Sequence, residues 1–263
     1  MKASSSARLA AALILAAAAL FIFLPVVALV QFSFQDGLVP VPPFKGFSLR
    51  WYDKVFADRR LIEALWHSVA VALGSSLVAT VLGFLAAYGL ARRRSRRNRL
   101  FELVLMAPIT VSYLIIGMGL LMTLTSAGFP KSLWAVGIGH VVINLPIAFA
   151  ICYSQLGQHQ VAIERAAEDL GAGPLMILLL ITVPTMAAPL AASFAISATL
   201  SWDEFVIAFL LSRFEVTLPV VIWSMLRSGL SPELNAVGTL VFAVSVAALL
   251  AVEALFLRGR RHG

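Results

Sequence analysis

The sequence predicts an all-α, polytopic membrane protein with six transmembrane helices. Apolar residues make up 60% of its 263 residues and charged residues only 13%, whereas a soluble domain is about half apolar and about a quarter charged. Six apolar stretches are long enough to cross about 30 Å of hydrocarbon at 1.5 Å per helical residue. The net charge is +7, and its basic residues form short clusters beside these stretches. That distribution favours a lipid bilayer over nucleic acid as the partner.

The predicted spans are, in chain order, Leu9 to Val30, Ser68 to Ala91, Phe101 to Thr125, Leu133 to Tyr153, about Pro184 to Leu211, and Asn235 to Leu257. The first also resembles a secretory signal peptide. Its apolar run exceeds the usual core of about 7–15 residues, and more spans follow, so we expect an uncleaved first span.

Two regions between the spans have features of their own. Ser48 to His67 reads as an amphipathic helix whose aromatic residues favour the membrane interface. Apolar residues then run from Leu175 to Leu211, too many for one crossing. We therefore predict a short helix over Gly173 to Thr182 before the fifth span, and a half-buried or re-entrant segment over Thr217 to Leu226 after it.

This organisation predicts three parts of the chain. Residues 1–58 hold the first span and an external segment with the amphipathic helix, 59–257 form the transmembrane core, and 258–263 form a tail. The two termini, the Arg92–Arg99 loop and the Gln155–Gly173 loop hold 12 of the 20 Lys and Arg residues. With six spans these four regions share one side, which the positive-inside rule makes the cytoplasm.

The loop between the fourth and fifth spans should form a helix–turn–helix. Ala166 and Ala167 are small and favour helix, and Gly171 can take the left-handed conformation that ends one. Pro174 suits the first turn of the next helix. On the residues alone, this loop is either a docking surface for another protein or a plain structured connector.

The same loop carries a recognisable spacing. Ala166-Ala167, Gly171, Ile181 and Pro184 match the signature Glu-Ala-Ala, three residues, Gly, nine residues, Ile-x-Leu-Pro. The chain thus resembles the permeases of binding-protein-dependent ABC importers. Arg165 replaces the usual Glu and Val183 the usual Leu, and Glu164 lies one residue before the replaced position.

The resemblance implies a type I ABC importer permease fold and a set of partners. These are a second homologous permease, two cytoplasmic ATPase subunits and an external substrate-binding protein. The residues implied to couple to the ATPase are Glu164, Ala166, Ala167, Asp169, Leu170, Gly171, Ala172 and Pro184. The chain lacks a Gly-x4-Gly-Lys-Ser/Thr phosphate loop. We therefore expect no enzyme activity and no cofactor here, with ATP and Mg bound by the partner ATPase.

Other motifs indicate a branch of the family. Four short segments recur in the same order in spermidine/putrescine permeases: Asp169–Ala172, Leu200–Phe205, Thr217–Pro219 and Ser231–Ala236. The resemblance covers roughly Arg59 to Leu257 and implies polyamine uptake. Iron, thiamine and phosphonate importers share much of the pattern, so another small solute is the alternative cargo. An ion-coupled secondary transporter is a weaker alternative, because no inverted repeat is evident.

Polar residues within the spans are candidates for the substrate pathway. Asp203 and Glu204 near the outer end of the fifth span could offer counter-charges to a polyamine, and Trp202 a cation–π face. Alternatively, the acids lie at the interface or pair with arginines. Tyr113 and Asn144 are further pathway candidates, although interhelical hydrogen bonding is the preferred role for Asn144 and His140. Scattered histidines and the single Cys152 predict no metal site.

Overall fold

A computed structural model describes residues 5–92 and 97–260, without the side chains of 5–8, 10 and 251–260. Half of the predicted Arg92–Arg99 cluster (residues 93–96) and the end of the predicted tail (261–263) lie outside the described residues. Within them the fold is all-α, with one isolated β-bridge between Gln35 and Phe47. The helices are α1 (Ser5–Ser33), α2 (Arg50–Ala57), α3 (Arg59–Arg92), α4 (Asn98–Met106), α5 (Tyr113–Ser126), α6 (Leu133–Gln155), α7 (Gln158–Asp169), α8 (Pro174–Ile177), α9 (Val183–Thr185), α10 (Ala187–Trp202), α11 (Val206–Leu211), α12 (Leu218–Ser228) and α13 (Pro232–Arg260).

Within the described residues, four segments are long and apolar enough to cross a membrane by themselves: Ala11–Ser33, Arg59–Arg92, Leu133–Gln155 and Pro232–Leu250. They confirm the first, second, fourth and sixth predicted spans. Two further spans are bent pairs, Asn98–Thr110 with Tyr113–Ser126 at 108° and Pro174–Thr185 with Ala187–Trp202 at 69°. Counting each bent pair once gives the predicted six spans in the described chain.

The third span is not the continuous helix that the sequence predicted over Phe101 to Thr125. A 3₁₀ turn at Ala107–Thr110 follows α4, and Val111 is extended with φ −106° and ψ 138°. Pro108 in that turn lacks a backbone N–H, which weakens the helix around it. The Ser112 hydroxyl then accepts from the backbone N–H of Leu114 and starts α5.

The amphipathic helix predicted over Ser48 to His67 is also wrong in its extent. The helix stops at Ala57 because Asp58 is extended, with ψ 101°. The Asp58 carboxylate accepts from the backbone N–H of Arg60 at 2.8 Å, an N-cap that begins a new helix. Residues 59–67 therefore belong to the 34-residue α3, which continues into the second span.

The region after residue 173 is broken more often than the sequence predicted. The predicted helix over Gly173 to Thr182 is a single α-helical turn, α8, followed by a π-helical turn at Leu178–Thr182. The fifth crossing ends at Trp202, where α10 stops, and does not continue as one helix to Leu211. The re-entrant or half-buried segment predicted over Thr217 to Leu226 is the short apolar helix α12.

The described chain divides into two compact units. The first holds residues up to Ile62 together with Ile222–Ala251, and the second holds Glu63–Val221 together with residues from Val252 onward. In the first unit, the indole N–H of Trp51 donates to the carbonyl of Gln35 at 2.7 Å, so this aromatic ring is an internal side chain.

The second unit is built around α3, α6 and α10 with α11. One buried apolar cluster includes Val71, Val136 and Ile207, and another includes Phe84, Phe149 and Met186. From the first cluster to the second, residue numbers rise from Val71 to Phe84 in α3 and from Val136 to Phe149 in α6, but they fall from Ile207 to Met186. Helices α3 and α6 therefore run in the same direction, and α10 runs in the opposite direction. The three helices form the scaffold on which the candidate sites lie.

A close approach between α3 and α6 gives a first prediction. A Cβ added at Gly83 would lie 2.7 Å from the backbone N of Phe149 and 2.8 Å from Cβ of Ala148. Gly83→Ala should therefore lower the free energy of unfolding by about 1–3 kcal/mol. Gly89→Ala on the same helix meets nothing within 4 Å and should be neutral or stabilising by up to about 1 kcal/mol. Thermal unfolding of both variants checks this, and equal melting temperatures would contradict it.

Candidate functional site

The predicted helix–turn–helix is present at residues 158–177. Helix α7 ends at Asp169, and Gly171 has φ +86°, the left-handed conformation that the sequence predicted. The N–H of Gly171 donates to the Glu168 carbonyl at 2.9 Å, and that of Ala172 to the Ala167 carbonyl at 3.0 Å. This pair of bonds is a Schellman motif. Pro174 then occupies the first turn of α8, as predicted.

The turn presents apolar side chains outward. Leu170 is 90% exposed, Leu175 66% and Met176 55%. We call these three residues the docking turn. Among the other residues predicted to couple, Ala166, Asp169, Gly171 and Pro184 are exposed, and Ala167 and Ala172 are half-buried. Three large apolar groups on a polar loop are unfavourable in water unless another molecule covers them.

Glu164, one of the residues predicted to couple, is buried and does not face outward with the rest of the loop. Its carboxylate forms a two-armed ion pair with the Arg92 guanidinium, with Nε to Oε2 at 2.5 Å and Nη2 to Oε1 at 2.8 Å. The Thr182 hydroxyl donates to Oε1 at 2.8 Å, and the Gln160 amide lies 3.3 Å from it. Arg165, at the position where the signature has Glu, is exposed.

The ion pair joins the end of α3, the middle of α7 and the π-helical turn. Burial raises the pKa of the Glu164 carboxyl, but hydrogen bonds from Arg92 and Thr182 and the Arg92 charge outweigh it, so the pKa lies below the usual value. The carboxylate is therefore charged at neutral pH. Sequence reasoning missed Arg92 as its partner because Arg92 begins a basic cluster that was read only as a topology signal.

Glu204 is buried at the break between α10 and α11. Both carboxylate oxygens accept from the backbone N–H of Ile207 at 3.0 Å, and Oε2 also accepts from Ala208 at 3.1 Å. The His140 Nε2 atom lies 3.3 Å from Oε2. On its other side, His140 Nδ1 is 2.6 Å from the Ser201 hydroxyl. Glu204 thus satisfies backbone groups that the helix break exposes.

Of the five predicted pathway residues, two are buried and three have accessible surface. Glu204 is 6% exposed and Asn144 1% exposed, so neither faces an open pathway in this conformation. Asp203 is exposed, Trp202 is half-buried, and Tyr113 at the start of α5 is 38% exposed. The structure instead brings Glu204 to His140, a contact between residues distant in sequence. No metal-binding group of three or more His, Cys, Asp or Glu side chains occurs in the described part of the chain.

The sequence matches a known family over most of its length. The model of the family "binding-protein-dependent transport system inner membrane component" matches residues 79–261. The chain belongs to this family. It is therefore a permease component of an ABC importer and not the catalytic subunit, and its place is the inner membrane.

Three relatives are similar over nearly the whole chain. The spermidine/putrescine transport system permease protein PotC of Haemophilus influenzae is 30% identical, over 92% of this chain and 94% of that protein. PotC of Escherichia coli is 29% identical, over 92% of each. The putrescine transport system permease protein PotI of Escherichia coli is 31% identical, over 88% of this chain and 85% of that protein.

Solved structures share the fold. A bacterial ABC transporter involved in import of the acidic polysaccharide alginate matches with a TM-score of 0.70 at 19% identity, over 98% of this chain and 99% of that one. The alginate transporter in complex with a pentasaccharide-bound periplasmic protein gives 0.72 at 16% identity, over 96% and 94%. The fold of this permease is accordingly that of type I ABC importers.

Breaking the buried ion pair from one side should destabilise the α7–α9 segment. Arg92→Met leaves the Glu164 carboxylate without its cation, at a cost of about 3 kcal/mol, the low end for buried pairs because Arg92 is 19% exposed. Faster hydrogen exchange of the amides of residues 158–185 would report the loss. Arg92→Met combined with Glu164→Met should recover most of the protection, because no charge is left buried. The control Glu168→Gln changes an exposed carboxylate on the same helix. Exchange in Arg92→Met as slow as in that control would contradict a structural role for the pair.

Proposed function

We propose that this permease forms half of the translocation pathway of an ATP-driven polyamine importer and couples it to a cytoplasmic ATPase. The observation that carries the coupling role is the docking turn, three exposed apolar side chains beside a glycine held at φ +86°. Polyamine as the cargo is supported by the similarity to PotC and PotI, whose names state spermidine/putrescine and putrescine transport.

The partners we propose follow from the family. A second homologous permease completes the pathway, two ATPase subunits bind ATP and Mg, and an external binding protein delivers the substrate. The docking turn and both termini then face the cytoplasm, in agreement with the distribution of Lys and Arg. In this assembly the chain binds no cofactor and performs no covalent step.

Coupling would run through the ion pair of Arg92 and Glu164. Closure of the ATPase dimer displaces the docking turn, and a rigid connection is needed to move the spans with it. Glu164 supplies this rigid connection, because its carboxylate bonds to Arg92 at the end of α3 and to Thr182 in the π-helical turn before α10. The adjoining ends of two spans of the second unit would thus move together with the turn, as alternating access requires.

The substrate pathway we propose includes Asp203, Trp202 and Tyr113, the three sequence candidates with accessible surface. The Asp203 carboxylate offers a counter-charge to an ammonium group, and the Trp202 ring a cation–π face. We leave Glu204 and Asn144 out of the pathway because both are buried inside the fold. Glu204 acts there through the backbone of α11.

Uptake measurements on turn variants test the coupling role. Gly171→Val should insert into the membrane normally but abolish polyamine uptake, because a β-branched residue is strained at φ +86°. Gly171→Asn should retain most uptake, since asparagine tolerates the left-handed region. The matched control is Gly157→Val, where the glycine is extended with φ −79° and ψ −166°. Full uptake by Gly171→Val, at equal abundance in the membrane, would refute the assignment.

Charge removal at the outer end of α10 tests the pathway. Asp203→Asn should slow polyamine uptake about fivefold at saturating loaded binding protein, because a charge pair about 4 Å apart in water contributes about 1 kcal/mol. The control Glu215→Gln neutralises an exposed carboxylate in the following loop and should leave the rate unchanged. Equal effects of the two substitutions would show that Asp203 contributes only general surface charge.

A further inference from the structure

A stripe of polar side chains runs between three spans of the second unit. Serines recur at four-residue intervals along α10, so they share one face of that helix. They meet hydroxyl groups of α3 and the polar face of α6. The stripe consists of Ser193, Ser197 and Ser201 of α10, Ser75, Ser76 and Thr80 of α3, and His140 and Asn144 of α6. All eight residues are buried.

Direct contacts fix the register of the stripe at both ends. At one end the Ser201 hydroxyl lies 3.1 Å from that of Ser75 and 2.6 Å from Nδ1 of His140. One or two turns along, the hydroxyls of Thr80 and Ser193 are 3.5 Å apart. Because α3 and α10 run in opposite directions, Ser76, one residue after Ser75, and Ser197, about one turn before Ser201, both lie on the way from the first contact to the second. Asn144 lies one turn after His140 on the same face of α6, so helix spacing places it in this intermediate region as well.

Four polar atoms at this intermediate level have no protein partner. The hydroxyls of Ser76 and Ser197 and both amide atoms of Asn144 make no hydrogen bond with any residue that the structure describes. Ser76 and Ser197 are 0% exposed and Asn144 is 1% exposed, so bulk water does not reach them. Buried polar groups without a partner are strongly unfavourable, and native proteins almost always provide one.

We infer that Ser76, Asn144 and Ser197 form an internal hydration site that binds one or more water molecules between α3, α6 and α10. The site offers both donors and acceptors, and a buried water typically uses two to four such partners. A divalent cation fits poorly, because Ca²⁺ takes about six to eight oxygen ligands and three side-chain oxygens are present here. The buried carboxylate on this side of the unit, Glu204, already accepts from two backbone amides.

The site has a consequence for the motion of α10. At this level the helix is held to its neighbours through water and not by direct side-chain bonds. Water-mediated bonds are nearly as favourable as direct ones and can re-form in a new geometry. This arrangement keeps α10 bonded to α3 and α6 while allowing small shifts between them. The inference stands on the unpartnered atoms and does not depend on the proposed cargo or coupling.

The sign of a stability change tests the site. If the Ser76 and Ser197 hydroxyls truly lack partners, Ser76→Ala and Ser197→Ala remove an unfavourable group and raise the melting temperature. If the two hydroxyls bind water, each substitution removes one of the hydrogen-bond partners of that water and lowers the melting temperature. We expect each to lower the melting temperature by several degrees. Ser154→Ala, at an exposed serine of α6, is the control and should change nothing.

A second measurement identifies the occupant. High-resolution electron cryomicroscopy of the complex in lipid nanodiscs should show a density peak within hydrogen-bonding distance of Asn144, Ser76 and Ser197. A melting temperature that rises in both serine variants, with no peak at this level, would overturn the inference. So would a stability that depends on Na⁺ against choline, with ligand distances of about 2.3–2.6 Å, because that result identifies a cation.

Discussion

The ion pair between Arg92 and Glu164 connects parts of the second unit that are distant in sequence. The Glu164 carboxylate is almost fully enclosed, accepts both arms of the guanidinium and receives the Thr182 hydroxyl. A buried charge is tolerated only when it is paired and hydrogen-bonded, so each of these contacts depends on the others. These contacts connect three elements: the end of α3, helix α7 and the π-helical turn before α10. The exposed docking turn is thereby attached to the spans by a specific contact in addition to the chain itself.

A second constraint comes from the bilayer, where every backbone polar group must find a partner within the protein. In the described chain the third span is interrupted at Val111 and the fifth ends in a helix break after Trp202, and the structure compensates locally at both places. Ser112 caps α5 after the extended residue Val111. Glu204 accepts the first N–H groups of α11 after the end of α10. A carboxylate at the end of a span is therefore not by itself a sign of a substrate pathway, because it can equally satisfy the backbone of a broken helix.

Much of the fold could be predicted from sequence because the relevant signals are local. The lengths of the apolar runs identified four unbroken spans, and Gly171 with Pro174 identified the turn. The bend after Pro108 was missed, since a proline permits a break without specifying one. The partners of Glu164 and Glu204 could not be found, because they depend on which residues distant in sequence meet. Arg92 and Glu164 are 72 positions apart, and His140 and Glu204 are 64 positions apart. For Asn144 the sequence favoured an interhelical hydrogen bond, whereas in the described residues its side chain is buried and has no protein partner, which is visible only in three dimensions.

Family and fold agree on a permease component of an ABC importer. The contribution that we propose for it is mechanical: it presents a surface to an ATPase and converts displacement of that surface into movement of the spans. The most direct test is ATP hydrolysis by the complete complex purified in lipid, with its binding protein, measured with spermidine, putrescine or a panel of anions. The account predicts that hydrolysis rises with a polyamine only when the binding protein is present. Stimulation by an anion and not by a polyamine would contradict the cargo, and failure of any ATPase to purify with this chain would contradict the central claim.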